Sequence, residues 1–383
     1  MNRPSTLRSP SYVVLSLAFS LTGAGTVMLG ILLPILSRRW QLQDGAAGFL
    51  LFLQFAGSSL GAILTGKHRV RALRLGYGIL ILSAGVLVFA APPLAFAAFF
   101  FWGLGLGMAM TATSLYVSDR AGDRRAAILE RLNFAWSAGA MAAPILFLHF
   151  LETRNPQPLY WIFGALFLLV AAWVLLCERE QFLLSPAHPD GASPTHAGHF
   201  AILSLVILAM FAVGVETSLS GWLTTYSHRA DPRAATGGAV ATACFLTGML
   251  LSRLIFSTRL LAMLGRSRVL TMTLSATAAS VILLIAAHHG AAIDAAAAIG
   301  GISIGPVYPL LLSFLLEHAP SGWVFAVAGL GSAVFPWTTG VLSERFGSLR
   351  MGLIAPLLAA AAMIVLRVVA IENRQREAAL SRT

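Results

Sequence analysis

The chain has 383 residues, 57% of them hydrophobic and only 11% charged, with a formal net charge of +11. A soluble globular domain carries about 25% charged residues, so this composition excludes that class. The positive excess does not describe a nucleic-acid binder either, because the apolar majority falls into recurring runs of about 20 residues, and polytopic membrane proteins collect Lys and Arg in their cytoplasmic loops.

The pattern predicts twelve transmembrane helices, over 12–36, 46–66, 72–91, 94–116, 128–151, 158–177, 200–226, 235–256, 268–287, 292–316, 321–342 and 350–371. Each run can cross a ~30 Å hydrocarbon core as a helix, whereas a membrane barrel would show alternating segments of about 10 residues. The first run continues past any small-residue cleavage site, so no cleavable signal peptide is expected. Trp40, Trp102, Trp161, Trp173 and Trp323 lie near span ends and read as interface anchors. The glycines at 103, 105 and 107 in span 4, and at 300, 301 and 305 in span 10, have no strand before them. They read as close helix packing rather than a nucleotide fingerprint.

The long polar break is 178–199, with Pro186, Pro189 and Pro194 among His188, His196 and His199. It reads as a linker between a six-helix bundle at 1–177 and another at 200–383. No carboxylate frames the histidines, so no metal is expected there. Cys177 and Cys244 lie in or beside apolar spans without metal or disulfide spacing. With the N-terminus cytoplasmic, one face of the membrane carries nineteen Lys/Arg and the other seven. Basic residues mark the inside, so both termini are expected there, in a plasma (inner) membrane.

The two halves repeat each other. GAGTVMLG at 23–30 aligns with GVETSLSG at 214–221, and Gly57 to Gly61 aligns with Gly248 to Ser252, both at an offset of 191. Gly139 and Pro144 align with Gly331 and Pro336 at 192. Each match joins span n to span n+6, which describes a parallel duplication of six helices.

That duplication leaves one position asymmetric. Glu216 sits in the middle of span 7, where the first half has Gly25. An acid at such depth costs about 2.5–3.5 kcal/mol on insertion scales and marks a functional site by default. It can carry a proton, or ligate Na⁺ with oxygens such as those of Thr217 and Ser220. On an ideal helix Tyr226 shares a wall with Glu216, and Trp222 joins them only if the helix bends, with Gly221 as the place for it.

Twelve spans, a parallel 6+6 repeat and a central linker resemble the major facilitator superfamily. Gly305-Pro306-Val307-Tyr308-Pro309 in span 10 is similar to a motif of its fucose:proton symporter branch. So are Leu132-Asn133 with Gly139 and Pro144, and Pro336-Trp337-Thr338-Thr339-Gly340 followed by Arg345-Phe346-Gly347. Glu216, Trp222 and Tyr226 in span 7 fit the same pattern. The segment Gly66-Lys67-His68-Arg69-Val70-Arg71 departs from the superfamily's loop motif in lacking an acid, and span 4 has none either.

The resemblance implies an all-α secondary transporter, working as a monomer, that moves a neutral hexose-like sugar by alternating access. Glu216 would couple transport to H⁺ or Na⁺, with no other cofactor. Sugars are bound through hydrogen bonds and aromatic faces in a concave site. The polar and aromatic residues well inside spans are Gln54, Asn133, Trp136, Trp222, Tyr226, Tyr308 and Trp337. Glu130, Arg131 and Arg253 lie near cytoplasmic span ends, where they would gate the path or snorkel. The central cavity is expected to hold no basic residue, which argues against anionic solutes. An exporter of amphipathic compounds is the alternative within the class, and a non-transporting receptor the alternative outside it. No enzymatic constellation appears.

Overall fold

The computed structural model describes residues 9–66, 68–121, 125–153, 155–181, 199–231, 238–256, 264–311 and 322–380. Among the described residues there is no strand, and every predicted span falls on a helix. In chain order these are α1 (Ser9–Trp40), α2 (Asp44–Leu64), α3 (Arg69–Phe89), α4 (Pro92–Ala121), α5 (Arg125–Leu146) with its short continuation α6 (Leu148–Thr153), and α7 (Gln157–Gln181). Then come α8 (His199–Ala230), α9 (Ala239–Phe256), α10 (Arg266–Ala286), α11 (Gly290–Ile304), α12 (Gly322–Phe346), the one-turn α13 (Leu349–Gly352) and α14 (Ile354–Leu380). Among the described residues, ten stretches are long and apolar enough to cross a membrane, and Ala239–Arg253 adds a shorter apolar helix.

Helix ends follow local chemistry. Pro92 opens α4, where its missing N–H would be unsatisfied in any case. Gly238 precedes α9 with φ +86°, a left-handed conformation that suits glycine. The tenth span pauses at Gly305-Pro306 and resumes over 307–311. Inside the helices, hydroxyls return to their own backbone, as Thr22, Thr273 and Thr277 do, which satisfies them without water. Leu82, Phe89, Leu169, Leu358 and Val365 are exposed, an apolar surface suited to acyl chains.

The chain forms two compact units. The first comprises Met1–Leu29 and Ala56–Gly191, the second Gly30–Phe55 and Ala192–Thr383. Within the first, α3 packs on α4 and α7, and α4 on α5. Trp102 lies at the centre, its ring edge-on to Phe163 and Phe167 and its Nε1 donating to Gly25 O at 3.0 Å. Trp102 is therefore a core residue and not an interface anchor: it is fully buried and its one polar atom is bonded inside the unit. Trp161, exposed beside Phe89, keeps the position expected of an anchor.

Within the second unit, α8 packs on α12 and α14, α9 on α11, and α10 on α11 and α14. Residues 30–55 belong here through specific contacts. Asp44 forms a two-pronged pair with Arg229 and accepts from Ser343 Oγ. The Gly45 N–H donates to Glu344, and Phe49 and Phe52 pack on Trp337. Gly30 meets Gly221, so the two glycines aligned by the repeat touch each other.

The duplication is visible in how the helices cross. A Cβ on Gly57 of α2 would strike the backbone of Phe100 and Leu104 in α4; one on Gly248 of α9 would strike that of Ala298 and Ile302 in α11. Gly139 of α5 abuts Ser20 of α1 as Gly331 of α12 abuts Met210 of α8. Thr26 bonds to Thr22 O as Thr217 bonds to Val213 O, each at 2.8 Å. Small residues let helices approach to backbone contact, where packing and not hydrophobicity drives association in lipid.

Candidate functional site

Three groups converge inside the second unit. Glu216 comes from the middle of α8, Arg253 from the last turns of α9, and Tyr308 from the turn that follows the Gly305-Pro306 break. Glu216 Oε1 lies 4.0 Å from Arg253 Nη2, and the two side chains are only 15% and 16% exposed. Tyr308 is half-buried and close enough to feel both charges.

The local sequence explains the convergence. Thr224 of α8 and Thr242 of α9 share a buried 2.7 Å hydrogen bond that fixes the register of this antiparallel pair. From that bond Glu216 is eight residues along α8 and Arg253 eleven along α9, roughly 12 and 17 Å at 1.5 Å per residue. An arginine side chain spans the difference. Ser252 sits beside Gly305, whose lack of a Cβ lets α9 and the α11 break approach. A buried ion pair is held by mutual neutralisation, and removing one partner of such a pair costs about 3–5 kcal/mol.

This pairing corrects one expectation. Arg253 neither snorkels nor leaves the interior without a basic residue: it is the counter-charge of Glu216. The sequence carries the signal in the lengths of α8 and α9 counted from the Thr224–Thr242 level, and not in the distance of Arg253 from the end of its own span.

The remaining candidates separate by environment. Trp222 is fully enclosed and donates from Nε1 to Pro336 O at 2.8 Å, and Tyr226 donates to Leu284 O at 2.6 Å. Both join helices within the second unit. The helix α8 is unbroken from His199 to Ala230, and Gly221 serves its approach to Gly30 rather than a bend. Gln54, on the part of α2 that belongs to this unit, is buried, and Trp337 remains 37% exposed. In the first unit, Asn133 is exposed on α5, while Trp136, one turn on, is half-buried against Leu15, Phe19 and Tyr116. Arg131 is exposed, and the side chain of Glu130 lies outside the described residues, as do His188 and His196. Among the described residues no group of His, Cys, Asp or Glu could hold a metal ion.

With this geometry in place, comparison with known proteins supplies the class. Residues 15–322 match the family model of the Major Facilitator Superfamily. The chain belongs to that superfamily of membrane transporters. Two solved structures share the fold. One is a point-substituted form of the Escherichia coli fucose:proton symporter FucP, with a TM-score of 0.64 and 16% identity over 94% of this chain and 98% of that one. The other is a bacterial homologue of the human lysosomal transporter Spinster, inward-facing and occupied, with a TM-score of 0.72 and 14% identity over 97% and 98%. No curated protein sequence matches the chain.

Proposed function

We propose that the protein is a secondary active transporter for a small, hydroxyl-rich, hexose-like solute, coupled to protons through Glu216. The observation that carries this reading is an acid in mid-helix, largely shielded from water, facing a guanidinium. Such a group can take up a proton from one side of a membrane and release it on the other, provided its environment changes with access. The halves 1–177 and 200–383 would alternate access to it in a plasma membrane, with both termini cytoplasmic. Asn133, Trp136, Tyr308 and Trp337 supply hydrogen-bonding groups and aromatic faces for the solute. Structural likeness to a fucose:proton symporter supports the sugar and the proton.

Reconstitution into liposomes with a panel of hexoses tests the reading, tracking internal pH with and without Na⁺. Concentrative uptake that acidifies the lumen and is lost in Glu216→Gln is the expected outcome. A Glu216→Gln protein that still concentrates solute would show that another group carries the coupling ion.

A further inference from the structure

We propose that the ends of α1 and α8 form a second solute site, separate from Glu216, which holds the same neutral, hydroxyl-rich solute at the mouth of the second unit. The proposal rests on the sugar reading of the solute and makes no use of the coupling role of Glu216.

A cavity of about 480 Å³ lies there, within the range of about 300–1,000 Å³ usual for small-molecule sites. Its polar wall is Arg38, Gln41 and Gln43 at the end of α1 and just after it, with Thr225, His228 and Arg229 from the last turns of α8. Thr225 is nine residues from Glu216 along α8, about 13 Å at 1.5 Å per residue. No member of the Glu216, Arg253 and Tyr308 cluster lines the cavity. With both termini cytoplasmic, this end faces outward.

Two observations point to a ligand. Thr225 is 3% exposed, and its Oγ1 has no hydrogen-bond partner among the described residues. Thr22, Thr273 and Thr277 return their hydroxyls to their own backbone; Thr225 does not. A buried polar atom left unpaired costs stability, and a solute hydroxyl in the cavity would offset that. The second observation is an asymmetry of the duplication. Arg38 and Arg229 are related by the offset of 191, but Asp44, the partner of Arg229, has Ala235 as its counterpart. Among the described residues Arg38 therefore pairs with no carboxylate, and its Nη2 meets His228 Nε2 at 2.6 Å. The other N–H groups of its fork face a polar cavity.

Charge balance selects a neutral ligand. Arg229 is compensated by Asp44. Arg38 stands where α1 and α8 both end, and each helix C-terminus carries about half a negative charge. The wall is thus close to neutral but rich in hydrogen-bonding groups. Gln41 gives its Nε2 to Arg38 O at 2.8 Å, which leaves its Oε1 as an acceptor. A sugar hydroxyl donates and accepts at once, so neighbouring hydroxyls can accept from Arg38 while donating to Gln41 and Thr225.

The test uses the full chain in nanodiscs with radiolabelled D-glucose, D-galactose and L-fucose as probes. Equilibrium binding of a transported hexose should saturate at two per chain. Thr225→Val and Arg38→Gln should each weaken one of the two sites by about fivefold or more, the loss of one hydrogen bond, and leave the other unchanged. Glu216→Gln should retain the site that these variants weaken. Without solute, Thr225→Val should unfold at the same temperature or higher, because it removes a hydroxyl that has no partner in the protein.

One hexose per chain, bound equally by wild type, Thr225→Val and Arg38→Gln, overturns this proposal and leaves the sugar and coupling readings standing. Two hexoses per chain with neither site altered by the variants overturn the location. A lowered unfolding temperature for solute-free Thr225→Val overturns the proposal too, since the hydroxyl then serves the fold. Concentrative uptake that survives Glu216→Gln overturns the coupling reading alone, and two-site binding sensitive to Thr225→Val would still support this one. Binding of none of the hexoses overturns both the solute class and the second site.

Discussion

Asp44, the first residue of α2, and Arg229, at the end of α8, meet with both oxygens facing both terminal nitrogens, at 2.5 and 2.7 Å. The carboxylate also accepts from Ser343 Oγ of α12 at 2.5 Å. One acid thus ties three helices together, 185 and 299 residues apart in sequence from its partners. The guanidinium is 44% exposed and the carboxylate side chain 12%, so solvent screens the pair and its direct contribution is about 1 kcal/mol or less. Thermal unfolding of Asp44→Asn, Arg229→Gln and the double variant should give a coupling energy of that size. Strict additivity of the two single effects would show that the pair contributes nothing beyond its parts.

The glycine crossings make a sharper prediction. A methyl group at Gly139 or Gly331 would overlap the carbonyl of Ser20 or Met210, which belongs to the backbone and cannot rotate away. Gly139→Ala and Gly331→Ala should each lower the unfolding temperature markedly, by the equivalent of about 1–3 kcal/mol or more. Gly78→Ala in α3 meets no atom within 4 Å and should be neutral or stabilising by about 0.5–1 kcal/mol. Equal behaviour of all three variants would contradict the crossing geometry.

Trp222→Phe keeps most of the ring volume and removes the donor to Pro336 O. A loss of about 1 kcal/mol in stability is expected, measured by thermal unfolding, with solute preference unchanged. A change in preference without loss of stability would place Trp222 at the solute instead.

Asn133 and Gln54 should behave oppositely. Asn133 is exposed and Gln54 buried, so Asn133→Ala should raise the KM for transport with little change in unfolding temperature. Gln54→Ala should lower the unfolding temperature, because a buried amide carries hydrogen-bonding groups whose neighbours lose their partners. Transport kinetics and melting curves on the same preparations separate the two.

Much of this is legible in the sequence because lipid imposes few solutions on a chain. Spans, the six-plus-six repeat and the depth of Glu216 follow from apolar run lengths and from residue spacing at a constant offset. Gly57 and Gly248, related by that offset alone, make the same crossing in both halves. What the sequence hides are partners that depend on register between helices. Arg253 reads as terminal on its own helix, yet the Thr224–Thr242 bond sets it against Glu216. Trp102 reads as an anchor because run length does not show the ring's neighbours, Phe163, Phe167 and the Gly25 carbonyl, which enclose it. Trp222 and Tyr226 read as available for a solute, but carbonyls of Pro336 and Leu284 already occupy their polar ends.

The Thr224–Thr242 bond has a mechanical consequence. Because it joins α8 to α9 near the end of one and the start of the other, Glu216 and Arg253 ride on one helix pair and travel as joint passengers whenever that pair moves as a body. Their separation is then blind to tilt of the pair and changes only when one helix shifts against the other.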